Sequence, residues 1–101
     1  MHNHIIETVM FKLSPHVQKE DFLSFAEASS DYVKGCKGFI ARRLSSDKDG
    51  NWVEHIEWET MADASAAAAA LGNAPDIGPF LTAIHPGTVT MHHTEVSISI
   101  G

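Results

Sequence analysis

Apolar and polar positions along the chain fall into runs whose period changes from two to about 3.6 and back, and the changes predict the elements. The segment HIIETVMFKL, His4 to Leu13, is rich in β-branched and aromatic residues and predicts a strand. Ile5, Val9, Phe11 and Leu13 share one parity; His4, Ile6, Thr8, Met10 and Lys12 share the other. Both faces are apolar near the centre, so this strand is expected to be covered on both sides. Glu7 is the misfit, a carboxylate on the first parity.

Ser14-Pro15 then offers a capping hydroxyl and a residue suited to the first helical position, which predicts a helix from about Pro15 to Lys34. Phe22, Phe25, Ala26, Ser29 and Val33 recur at three- and four-residue steps and define its inner face. Gly35 is expected to end it in the left-handed conformation. FIARRLSS, Phe39 to Ser46, alternates as a strand; DKDGN, Asp47 to Asn51, has hairpin-turn chemistry; WVEHIEWE, Trp52 to Glu59, is the returning strand. Thr60 and Asp63 predict the start of a second helix, alanine-rich from Ala64 to Ala70 and ended by GNAP. DIGPFLTAI, Asp76 to Ile84, predicts another helical turn or two. HPG breaks it, and TVTMHHTEVSISI, Thr88 to Ile100, predicts a last strand.

The order βαββαβ is the ferredoxin-like plan, an α+β fold in which a four-stranded antiparallel sheet carries its helices on one face. The other face would be bare. It is expected to carry Ile6, Met10 and Val53 and, on one choice of parity, Val89 and Met91. Apolar faces of that size are seldom left exposed on a monomer, so the pattern predicts a two-fold homodimer in which the bare faces meet.

Composition narrows the function classes. A chain of 101 residues predicts one domain over residues 1–101, with a core thin enough that self-association would help it. The formal net charge of −6 argues against nucleic acid and anionic membranes as partners. Arg42-Arg43 is the nearest approach to a basic patch, and surface ion pairs are its expected role. Cys36 is the only cysteine, which excludes an intrachain disulfide and a cysteine-based zinc site. No secretory leader or spanning segment is legible, and the expected location is cytoplasmic.

Several stretches resemble the dimeric α/β-barrel superfamily, specifically its antibiotic-biosynthesis-monooxygenase-like and stress-responsive members. They are VMFKLSP at the end of the first strand, VKGCKGF before the second, HIEWETMADASAAAAA across the third strand and second helix, and FLTAIHPG before the last strand. The resemblance implies two sheets facing each other in a dimer, and a cavity between sheet and helices for a small apolar or aromatic molecule. Some members of that superfamily oxidise anthrone-type substrates without metal or flavin; others degrade haem. The haem pattern uses an asparagine on the first strand, a tryptophan in the second helix and a histidine near its end. Here only His85 has a counterpart. The function this implies is a cofactor-independent monooxygenase of a small aromatic or polyketide-like substrate. The alternative is a non-catalytic ligand-binding or stress-related protein using the same cavity.

The candidate chemistry centres on EHIEWET. If Ile56 and Trp58 face the helices, Trp58 as a core aromatic, then Val53, His55 and Glu57 face the other way, into the space between the two sheets. His55, oriented by Glu57, is the first candidate general base and His85 the second; Met10, Val53 and Glu57 are the candidate substrate contacts. No metal or other cofactor is expected. His92 and His93 are neighbours on a strand and point to opposite faces, His2 and His4 sit at the terminus, and no three ligands converge. Cys36 is expected to be a small turn residue, although Lys34 and Lys37 flank it.

Overall fold

The computed structural model describes residues 3–101, so His2 lies outside the described residues. The elements are β1 (Ile5–Phe11), α1 (Lys19–Lys34), β2 (Phe39–Ser46), β3 (Trp52–Trp58), α2 (Met61–Ala70), α3 (Gly78–Ala83) and β4 (Thr90–Glu95). The strands form one antiparallel sheet in the order β2-β3-β1-β4, the ferredoxin-like arrangement that the sequence predicts.

Each chain break has a local cause. Asp47 closes the β2–β3 hairpin: its carboxylate accepts from the backbone N–H groups of Asp49 (2.9 Å) and Asn51 (3.0 Å), and Gly50 takes φ +83°. Thr60 Oγ1 accepts from Asp63 N at 3.0 Å and starts α2 as expected. The first helix begins at Lys19 rather than Pro15, because His16 adopts φ +77° and Val17 N bonds back to Ser14 O in a separate turn. Gly35 remains right-handed at φ −82°; the left-handed glycine is Gly38, φ +82°, where a Cβ would run into the Asp63 carboxylate. The last strand stops at Glu95, opposite Ile5, rather than running on to Ile100; Val96 N still bonds to His4 O just past the paired segment.

Strand register settles the faces. Ile5, Glu7, Val9 and Phe11 lie opposite Trp58, Ile56, Glu54 and Trp52, and this set faces the helices. On β2 a bulge at Ile40 puts Phe39 beside Trp58 and Arg42 beside Ile56, so both turn to the helix side. A strictly alternating strand would have separated them.

Two apolar clusters hold the layers together. In one, Phe22 of α1 is fully buried and its ring lies 4.9 Å from Trp52, 5.4 Å from Phe80 and 5.8 Å from Phe11. Burying one such ring stabilises the fold by about 1.5–3 kcal/mol. In the other, Val33, Ile56 and Trp58 pack against Ala64 and Ala67. Only these two residues of the alanine run are buried, so the run forms a narrow contact stripe rather than a wholly packed helix. Tyr32 ties α1 to α2 by donating its hydroxyl to Ala67 O at 2.7 Å.

Candidate functional site: a cavity with a charged wall

Between the two clusters the layers do not close. A cavity of about 320 Å³ lies between the sheet and the helices, with Val9, Phe11 and Ile56 on its sheet side, Ser29 and Val33 from α1, and residues of the 71–84 segment across from them. That segment is two short helical pieces, a 3₁₀ turn (Leu71–Asn73) and α3, separated by Pro75 and by Asp76 at φ +61°. Its Ile77, Phe80 and Ala83 pack in the cluster of Phe11, Phe22 and Trp52, and its Leu71, Leu81 and Ile84 line the cavity beside them. Val89 and Met91 also line this cavity, so they belong to the helix side and not to the bare face. The expectation that placed them on the bare face chose the wrong parity for β4; the pairing of Met91 with Val9 fixes the other one.

The lining is apolar except for one patch, where Glu7, Glu54 and Arg42 enter it with Ser29. Arg42 and Glu54 form a buried ion pair, Nη2 to Oε1 at 2.6 Å, with Nε also 2.9 and 3.1 Å from the two carboxylate oxygens. Arg42 Nη1 donates to Ala26 O (3.1 Å), Ser29 Oγ (2.9 Å) and Ser30 Oγ (2.9 Å). This corrects the surface ion pair expected of Arg42-Arg43: Arg42 is an internal strut between β2, β3 and α1, while Arg43 is exposed. Burial pushes the Glu54 carboxyl above the ordinary carboxylate range; Arg42 opposes that shift, and the charge of Glu7 adds to it.

Glu7 is buried too, and its Oε1 accepts from Trp58 Nε1 at 3.0 Å. Trp58 is therefore the expected core aromatic, 2% exposed, and also a hydrogen-bond donor to the carboxylate on its neighbouring strand. His93 completes the group from β4, with Nε2 3.7 Å from Glu7 Oε1 and, among the described residues, without a hydrogen-bond partner. As expected, His92 points the other way.

The residues singled out from sequence lie elsewhere. His55 and Glu57 face away from Ile56 and Trp58, in the direction expected, with Val53 and Met10 paired on the same face. None of the four lines the cavity, and neither does His85, which is exposed beside it between Ile84 and Pro86. Glu57 pairs with His4, whose Nδ1 is 2.6 Å from its Oε2, and has no bond to His55. No cluster of three metal-ligating side chains occurs among the described residues. Cys36 Sγ donates to Tyr32 O at 3.4 Å in the turn after α1.

The sequence reading marked Glu7 as a misfit but passed over Glu54 and Arg42, and with them the trio that these residues form. Its signal was present: each sits on the otherwise apolar parity of its strand, between Ile5 and Val9, between Trp52 and Ile56, and two residues before Leu44.

No family model matches the chain, and no curated protein matches it in sequence. Solved structures do match its fold. A candidate antibiotic biosynthesis monooxygenase from Bordetella bronchiseptica superposes with a TM-score of 0.79 at 12% identity, over 95% of this chain and 99% of that one. SnoaB, a cofactor-independent oxygenase from Streptomyces nogalater, gives 0.69 at 16% identity, over 98% and 96%. A monooxygenase from the gene ActVA-Orf6 of Streptomyces coelicolor, in complex with the ligand Nanaomycin D, gives 0.69 at 12%, over 97% and 91%. The chain thus has the fold of the antibiotic-biosynthesis-monooxygenase-like proteins, as its resemblance to them implied. No helix among the described residues is long and apolar enough to cross a membrane.

Proposed function

We propose that the protein is a cofactor-independent monooxygenase whose small aromatic substrate occupies the cavity between sheet and helices. The observation that carries this reading is the cavity itself: about 320 Å³, apolar, with buried carboxylates on one wall. That volume is at the lower end of the roughly 300–1,000 Å³ typical of small-molecule sites, which suits a ligand of two or three fused rings. Glu7 is the proton acceptor in this reading, since Glu54 is occupied by Arg42. It takes a proton from an acidic ring CH₂ or hydroxyl, and molecular oxygen adds to the resulting anion. The peroxide anion takes that proton back from Glu7, and the hydroperoxide then loses water to leave a carbonyl. For anthrone the balance is one anthrone and one O₂ giving one anthraquinone and one water. The fold relatives named as oxygenases support the reaction class.

The test is anthrone turnover under ¹⁸O₂. One labelled oxygen per anthraquinone, formed well above the buffer rate and slowed at least tenfold by Glu7→Gln, is expected. Ligand retention with no rate above buffer would instead establish the second reading, a non-catalytic binding protein. That reading is favoured by the extent to which the polar wall is already bonded to itself.

The same proposal includes a homodimer formed through the bare sheet face. Met10 is 45% exposed there, and beyond β4 the tail leaves Ile98 and Ile100 at 83% and 94%. A second sheet would cover Ile6, Met10 and Val53 and enclose His55 and Glu57. A catalytic role for His55 therefore depends on the second copy, and His55→Ala separates the two sites. Loss of turnover with the dimer intact would move the base to the intersheet space; unchanged turnover keeps it at Glu7. His85, exposed beside the cavity, would act only at the rim, and Met10, Val53 and Glu57 would contact substrate only in the intersheet case.

A further inference from the structure

The charged wall has an unspent acceptor and almost no unspent cation, and this sets which ligands it can take. Arg42 is the only cationic side chain among the described residues lining the cavity. Of its five N–H groups, the one on Nε and one on Nη2 go to Glu54, and the two on Nη1 are shared among Ala26 O, Ser29 Oγ and Ser30 Oγ. Its charge is neutralised by Glu54, and the guanidinium carbon lies 5.5 Å from the centre of the Phe80 ring. A single N–H remains. Glu7 is the opposite case: Trp58 occupies Oε1, and among the described residues Oε2 accepts no hydrogen bond. The single positive charge of Arg42 against the two negative charges of Glu7 and Glu54 leaves the lining a formal net charge of −1.

We propose that the cavity selects uncharged aromatic ligands that present a hydroxyl to Glu7 and rejects aromatic carboxylates of the same size. This rests on the reading that the cavity holds a ligand, and it assigns Glu7 as the residue that sets specificity. A phenolic O–H directed at Glu7 forms a charge-assisted hydrogen bond in surroundings where water competes poorly. A ligand carboxylate in the same place meets a like charge and finds no free cation to bind it. His93 Nε2 lies 3.7 Å from Glu7 Oε1, so the comparison is repeated in His93→Gln, where no imidazole can offset that charge and the same preference is expected.

The experiment is isothermal titration of the full chain with 2-naphthol, 2-methoxynaphthalene and 2-naphthoate. 2-Naphthol is expected to bind at least a hundredfold more tightly than 2-naphthoate and about tenfold more tightly than the methyl ether, which has no donor. In Glu7→Gln the naphthol-to-naphthoate ratio should fall below ten. If that variant fails to fold, the wild-type comparison of naphthol with its methyl ether still decides the matter. Equal binding of naphthol and naphthoate, absence of any binding, or a ratio that Glu7→Gln leaves unchanged would overturn the proposal. Selective naphthol binding without oxygen uptake would uphold it while counting against the monooxygenase. Turnover of aromatic acids as fast as phenols would do the reverse.

Discussion

The two faces of the sheet invert the simplest expectation for a half-covered sheet. The face under the helices carries Glu7, Glu54 and Arg42 among Val9, Ile56 and Trp58. The bare face carries Ile6, Met10 and Val53 beside the His4–Glu57 pair and a row formed by Arg43, His55, Thr8 and His92. Charge is buried where apolar packing would be cheapest, and apolar surface is exposed where water could be. Where a sequence breaks its own pattern in this way, function is the usual reason. On the covered face the reason we propose is a ligand site in the cavity; on the bare face it is the proposed contact with a second copy.

The sharpest way to break the comparison is to remove one half of the buried ion pair. Glu54→Leu leaves Arg42 buried without its counter-charge and should cost about 3–5 kcal/mol of stability by urea denaturation. Adding Arg42→Met should restore most of that loss, because a buried pair exchanged whole for apolar side chains is often neutral. A cost under about 1 kcal/mol for the single change would mean that the pair is effectively solvated, as surface pairs are.

A smaller loss should follow Trp58→Phe. The ring's packing is largely kept while Glu7 loses its indole donor, and a hydrogen bond to a charged group contributes about 1.5–3 kcal/mol. If instead the variant is as stable as the wild type, Glu7 finds water in the cavity and is less buried than its 8% exposure indicates.

On the bare face the expected effects are on association. Met10→Lys should weaken the homodimer at least tenfold in sedimentation equilibrium, equivalent to about 1.4 kcal/mol. The stability of the isolated chain should change by no more than about 0.5 kcal/mol, as for other surface substitutions. Sedimentation of the wild type as an 11.0 kDa species at micromolar concentration would remove the dimer from the comparison altogether.

The smallest effect is on pH dependence. Glu54 holds its proton more tightly in the folded chain than in the unfolded one. Its contribution to stability is therefore fully present below the ordinary carboxylate range and is lost as pH rises through the raised value. Asp47, lowered by its bonds to Asn51, runs the opposite way: its contribution is present above the ordinary range and is lost on acidification. Glu54→Gln should remove the first trend and leave the second, measured as chemical-denaturation midpoints across the acid range. An unchanged slope would show that Glu54 titrates normally.

The order of elements, the hairpin at Asp47–Asn51 and the start of α2 at Thr60 were all legible in the chain, and the structure bears them out. These features are local: each depends on a period, a cap or a turn carried by a few consecutive residues. The candidate site was not legible in the same way. Glu7 stood out as a misfit, but its partners come from β3 and β4, 51 and 86 positions away in the sequence. The bulge at Ile40 that turns Arg42 inward, the pairing that sends Met91 to the cavity side, and the placing of residues 71–84 along the cavity are matters of register and packing. A one-residue shift in a strand reverses every face after it at little local cost, so periodicity alone cannot decide between the two faces. The sequence by itself determined which segments are strands and helices. Only the tertiary structure decided which carboxylates share a cavity, because that depends on contacts between strands distant along the chain.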